Sequence, residues 1–99
     1  MTDPNLMAKY RNQAQMLANK VRKRYKHLRK GFDRQNIEVF RLYDWDIPEI
    51  RAVVDWYAGH LVIAEYTRQQ STPEWLPMMG EAVAQALGVP SSDVHLKER

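Results

Sequence analysis

Apolar residues recur at steps of three and four through the first third of the chain. Met7, Tyr10, Ala14, Leu17, Val21, Tyr25, Leu28 and Phe32 fall on one stripe of a 3.6-residue helix, and charged residues fill most of the remaining circumference. The spacing predicts a long amphipathic helix whose best-defined part is residues 10–34. Asp3-Pro4 supplies its start, an N-cap followed by proline where a missing amide proton costs nothing. Gly31 could end it, but Phe32 keeps the phase, so the helix is expected to reach Gln35, with Asn36 in the left-handed position beyond. About 30 residues at 1.5 Å each span roughly 45 Å. A domain this small cannot cover that length, so either part of the stripe awaits another surface or the helix breaks near Lys20.

From Ile37 the period changes to two. Val39, Arg41 and Tyr43 alternate with Glu38, Phe40 and Leu42, a first strand. Asp44, Asp46, Pro48 and Glu49 mark a turn and loop, with short acids that favour Asx-type turns and a proline that a central strand excludes. AVVDWY (residues 52–57) and LVIAEY (residues 61–66) are two further strands, and the short AGH connection makes them an antiparallel hairpin. Large apolar groups stand on both faces of these strands, where a half-exposed sheet should alternate cleanly. The sheet is therefore expected to be covered on both faces, by its helices and by protein outside the chain. Residues 67–72 read as polar loop. Ser71 or Thr72 can cap a second helix, with Glu74 completing a capping box and Pro77 placed to kink the first turn. Met78, Met79, Ala82, Val83, Ala86 and Leu87 form its apolar face, Gly88 closes it, and Pro90-Ser91-Ser92 turns the chain into a fourth strand with Val94 and Leu96 inward. The expected architecture is α+β: a long basic N-terminal helix (residues 1–36), then a small subdomain (residues 37–99) holding a mainly antiparallel sheet of about four strands and a second helix.

Charge sharpens this division. Up to residue 34 there are ten Lys or Arg against two Asp, a formal +8, whereas the remainder carries five basic and ten acidic residues, a formal −5. Seven of the cations, Lys20, Arg22, Lys23, Arg24, Lys26, Arg29 and Lys30, occur within eleven residues. Arg22, Lys26, Arg29 and Lys30 share one side of the helix, with Lys23, His27 and Arg34 adjoining. Such a face suits phosphate positioning rather than base reading, because spaced cations match backbone charges without a bidentate base-edge requirement. It attracts polyanions by long-range electrostatics and counterion release. A solvated face, or salt bridges to the acidic half, fits the same charges.

Other chemistry is thin. The absence of cysteine excludes disulfides, thiolate metal sites and thiol nucleophiles. Glycine-rich phosphate loops and HExxH do not occur, and His27, His60 and His95 lack ligand-like spacing. Asp44, Asp46 and Glu49 suit a turn better than a calcium or magnesium site. Asp55 and Glu65 could face each other across the hairpin as paired carboxylates, but Arg41, Arg51 and Arg68 are available to make them structural ion pairs. No residues are assigned to catalysis, cofactor or metal. An apolar content of 44% suffices for a modest core, no run approaches the ~20 apolar residues of a membrane span, and MTDPNLMAKY lacks a signal-peptide pattern, so a cytoplasmic protein is expected.

Four stretches carry a resemblance. NKVRKRYKHLRK (residues 19–30), NIEVFRLYDWDIPEI (36–50), AVVDWYAGHLVIAEY (52–66) and VHLKER (94–99) resemble, in the same order, the segment preceding the catalytic domain of class I S-adenosylmethionine-dependent 23S rRNA guanine methyltransferases. The likeness is greatest to the guanine-N7 module of the large-subunit enzyme, often fused behind a guanine-N2 module. It covers about residues 16–99, and FRLYDWDIPE followed by AVVDWY is its most specific part. Of the family pattern xxNRLRKNxKHLxKW, Asn19, Arg22, Lys23, His27, Leu28 and Lys30 match in type, while Gly31 stands where an aromatic is usual. The resemblance implies a small α+β subdomain that bridges an RNA-binding part and a Rossmann-like methyltransferase domain, and that helps form the substrate side of the cleft. It also implies ribosomal RNA as partner, a catalytic domain supplied in cis or in trans, and S-adenosylmethionine held elsewhere in the enzyme. The chain by itself is then an inactive, RNA-orienting module whose RNA contacts are Lys20, Arg22, Lys23, Lys26, Arg29, Lys30 and Arg34. The alternative is an interaction domain in which the helix stripe, through Leu17 and Val21, forms a homodimer or docks another protein, and the charge only solubilises it.

Overall fold

The structure, a computed structural model, describes residues 4–34, 38–66 and 73–98, with the side chains of residues 32–34 and 98 set aside. The first helix, α1, runs from Pro4 to Arg34 without interruption. Its start at Pro4 agrees with proline at the first helical position. The proposed Asp3 cap, the Gln35–Asn36 ending and the Phe32 side chain lie outside the described residues. The helix does not break near Lys20. Its 31 residues instead span most of a molecule whose longest extent is 48 Å. Tyr10, Ala14, Leu17 and Val21 are buried, Tyr25 and Leu28 half-buried, and the described side chains after Leu28 are exposed.

Strands β1 (Val39–Asp44), β2 (Ala52–Tyr57), β3 (His60–Glu65) and β4 (Val94–Glu98) form one sheet in the order β1-β2-β3-β4. The first two pairings are antiparallel. The third is parallel, because the second helix, α2 (Trp75–Leu87), carries the chain back across the sheet before β4 begins. The β2–β3 turn is a two-residue hairpin, Ala58-Gly59, with φ of +47° and +95°. Positive φ at both central residues is the type I′ arrangement that matches strand twist.

Both helices lie on one face of the sheet. One core cluster joins Leu17 and Val21 of α1, Met79 and Val83 of α2, and the helix-facing strand residues Ala52, Val54, Leu61 and Ile63. Within this chain, then, the helices cover one face only, and cover of the other face falls to protein outside the chain if it is covered at all. The opposite face pairs Val39 with Tyr57, both exposed, and Arg41 with Asp55. Only at one end of it are Val53 and Ala64 buried, the end where Tyr66 donates to Asp44 Oδ1 at 2.9 Å and its ring packs at a tilt against Trp45, centroids 5.3 Å apart.

Strict alternation also fails in β1. The register shifts between Arg41 and Tyr43, a bulge at Leu42 that turns Leu42 and Tyr43 both inward. The Tyr43 hydroxyl then ties down the β1–β2 loop, donating to the Ile50 carbonyl at 2.8 Å and accepting from the Ile47 amide at 3.0 Å. At the start of α2 the capping residue is Glu74, with no side-chain cap bond. Ser71 and Thr72 lie outside the described residues. Pro77 falls at the third helical position, where its amide would have no acceptor within the helix in any case, so no kink follows from it. Gly88 closes α2 at φ +70°, with its own amide bonding to Gln85 O (3.4 Å) and the Val89 amide to Ala84 O (2.9 Å), a Schellman ending. Gly80 lets α2 cross the sheet closely, since a Cβ there would meet Leu96 Cδ2 at 2.8 Å. Between the helices, the buried Trp75 indole donates to the buried Gln13 Oε1 at 2.8 Å.

Candidate nucleic-acid interface

The cations of α1 sort by what their position on the helix brings them against. Lys20 faces the β1–β2 loop, where its ammonium lies 3.9 Å from Asp46. That ion pair draws Lys20 toward the acidic half and away from the rest of the set. Arg22, Lys23 and Lys26 line a groove of about 270 Å³ closed by Tyr25 and by Ala86 and Leu87 at the end of α2. Arg22 also donates to Asn19 Oδ1 at 3.2 Å, which orients its guanidinium without neutralising it. Arg29 lies across the Tyr25 ring, 5.7 Å from its centroid, and lines a neighbouring concavity. Lys30 is exposed one helical turn beyond Lys26. The Arg34 side chain lies outside the described residues.

Among the described residues no carboxylate forms an ion pair with Arg22, Lys23, Lys26 or Lys30. Salt bridges to the acidic half therefore account for Lys20 and not for these four. The groove has one opposing influence. The carbonyl end of α2 carries roughly half a negative charge and no basic residue in its own last turn. Three full cations in the groove outweigh that partial charge, so its net field favours an anion.

The second concavity, about 210 Å³, is lined by Tyr25, Arg29, Glu38, Phe40, Trp56, Ala58 and Gly59. Sequence reasoning did not find it. Its walls come from three elements: Tyr25 from α1, and Phe40 opposite Trp56 on the helix-facing side of β1 and β2. The Tyr25 and Trp56 rings are 4.8 Å apart, and Phe40 is 6.3 Å from each. Period-two alternation places Phe40 on the inward face, and period 3.6 places Tyr25 on the stripe, but their meeting needed the pairing register. The Ala58 amide donates to the Glu38 carbonyl at 2.7 Å, which holds the entry of β1 against the hairpin.

The other candidate chemistries do not assemble. Asp55 and Glu65 do not face each other: Asp55 is opposite Val62, and Glu65 opposite Ala52 on the other side of the sheet. Asp55 instead receives the Arg41 guanidinium at 2.8 Å, and that hydrogen bond holds Arg41 charged to still higher pH than usual. His60 and His95 approach with ring centroids 5.7 Å apart and His60 lies 3.6 Å from Asp93, yet no described group of three His, Asp or Glu could hold a metal ion. Asp46 works as a loop residue, accepting from the Asp44 amide at 3.2 Å. No described helix is long and apolar enough to cross a membrane. The apolar stripe is also less available than a docking surface requires, since Leu17 and Val21 are fully buried in the chain's own core.

Comparison with known proteins gives one consistent answer. The chain is 40% identical over 91 residues to the ribosomal RNA large subunit methyltransferase K/L of Alcanivorax borkumensis, an alignment covering 87% of the chain. It is 38% identical over 91 residues to the protein of the same name from Shewanella loihica, and 36% over 98 residues, 94% of the chain, to that from Aeromonas hydrophila. The chain spans only 13–14% of the length of these relatives. No family model matches it.

Proposed function

We propose that this chain is the RNA-orienting module of a larger rRNA methyltransferase, and that it does not transfer methyl groups itself. Its similarity to a segment of ribosomal RNA large subunit methyltransferases K/L supports the setting. The observation that carries the RNA role is the set Arg22, Lys23, Lys26 and Lys30, exposed along one side of α1 with no carboxylate partner among the described residues. Spaced cations on a rigid helix grip backbone phosphates and set the register of the RNA. Arg29 extends the band toward the end of the helix, and Lys20 contributes the least because Asp46 holds it.

The sheet packs against a catalytic domain supplied in cis or in trans. The face of the sheet not covered by α1 and α2, with Val39 and Tyr57 exposed on it, offers the surface for this. The methyl donor of such an enzyme, S-adenosylmethionine, belongs to that domain. The residues of this chain do not suit it, because no glycine-rich turn links a strand to a helix anywhere in the sequence. Methylation of a guanine in 23S rRNA is the reaction we assign to the whole enzyme.

Neutralising Arg22, Lys26, Arg29 and Lys30 to Gln should weaken binding to structured RNA across sequences, as loss of phosphate contacts does. An unchanged RNA affinity in that quadruple variant contradicts the phosphate grip. Calorimetry with S-adenosylmethionine should give no signal for this chain, and a saturable signal would overturn the division of labour.

A further inference from the structure

We propose that the concavity walled by Tyr25, Phe40 and Trp56 receives one unpaired nucleobase of the RNA whose phosphates lie in the adjoining cationic groove. The proposal rests on the phosphate-gripping reading above and specifies what the neighbouring site takes. Three aromatic rings meet here at the margin of the core, each only half-buried. Phe40 lies within 24–26° of parallel to both other rings, while Tyr25 and Trp56 are tilted 50° to each other, so an entering base can stack on one ring and meet another at an angle. Aromatic faces and arginine planes are the surfaces on which proteins stack unpaired bases. Arg29, over Tyr25, adds such a plane to the same wall.

The charge of the lining separates a base from a phosphate. Among the described lining residues Arg29 is the one cation and Glu38 the one anion, so these residues give the concavity no net attraction for a phosphate. Among the described residues lining the groove beside it there are three cations and no anion. Tyr25 lines both. A cationic trough and a near-neutral aromatic hollow sharing one wall are what a nucleotide asks of two adjacent subsites. Glu38 can also accept a hydrogen bond from an amino or imino group on the edge of the base.

The test compares two RNA hairpins with the same number of phosphates, one fully paired in its stem and one carrying a single unpaired nucleotide. The 99-residue chain should bind the second about tenfold more tightly, the scale expected for one stacked base. Trp56→Leu and Phe40→Leu should each abolish that preference while leaving the salt dependence of binding intact. With 5-iodouridine at the unpaired position, photocrosslinks on the unmutated chain should map to Tyr25, Phe40 or Trp56, a readout that does not depend on either variant folding. Equal affinity for the two hairpins with normal salt dependence, or crosslinks confined to other residues, overturns the base site and leaves the phosphate grip standing. Absence of salt-dependent binding to either RNA overturns the underlying reading and this one with it.

Discussion

At the scale of single residues, two buried polar groups hold positions that packing alone would not fix. The Gln13–Trp75 hydrogen bond is the first, a side-chain contact that joins α1 to α2 inside an apolar layer. Gln13→Leu leaves the indole N–H buried without a partner, so unfolding in urea should show a loss of about 1–3 kcal/mol. Adding Trp75→Phe should recover part of it, because the stranded donor is then gone. The second is Tyr43. Burial pushes its phenol up to about 12, helped by Asp46 and Glu49 and opposed by the Ile47 backbone hydrogen bond. An unfolded tyrosine ionises near 10. The folded chain therefore keeps a proton that the unfolded chain loses, so Tyr43's contribution is complete below pH about 10 and disappears as pH rises toward 12. Thermal melts between those values should show stability falling, and Tyr43→Phe should flatten that slope. Neither residue's role was legible from spacing. Gln13 looked like any polar residue beside the stripe, and Tyr43 was placed opposite Leu42 by an alternation that the bulge cancels.

At the scale of elements, the helices and strands follow from local patterning. The 3.6 period of α1, the AVVDWY hairpin and the Gly88 stop are all where the residues predict them. What local patterning could not supply is relative placement. The parallel pairing of β4 depends on α2 crossing over the sheet, and Gly80 permits that crossing at close range. Gly80→Val should cost about 1–3 kcal/mol by overpacking against Leu96, Val94 and Ile63, measured as a shift in the denaturation midpoint. Glu65 could have faced Asp55 across the hairpin, yet it lies three residues from Val62, the cross-strand partner of Asp55, and that odd offset puts the two carboxylates on opposite faces. The hairpin itself carries one element of strain. Ala58 adopts φ +47°, a left-handed conformation that costs an ordinary L-residue on the order of 1–2 kcal/mol. Ala58→Asn, giving the Asn-Gly pair that type I′ turns prefer, should stabilise the chain by about 0.5–1 kcal/mol, read as a higher melting temperature.

At the scale of the whole molecule, charge and shape point the same way. A helix as long as the molecule carries ten of its fifteen Lys and Arg, and its apolar stripe is consumed by the core as far as Val21. The candidate interface was half legible. A run of cations at helical spacing is visible in any reading of residues 20–30, whereas the pairing of Lys20 with Asp46 and the aromatic hollow beside Arg29 appear only when β1, β2 and the loop between them are folded against the helix. On the proposed reading the molecule is a holding surface, and catalysis belongs to other protein. The most direct test of the holding role is the slope of log affinity against log salt for a structured rRNA fragment. Four phosphate contacts, at roughly 0.7–0.9 counterions each, give a slope near −3. A slope close to zero with measurable binding would show that the cations of α1 do not touch the RNA backbone.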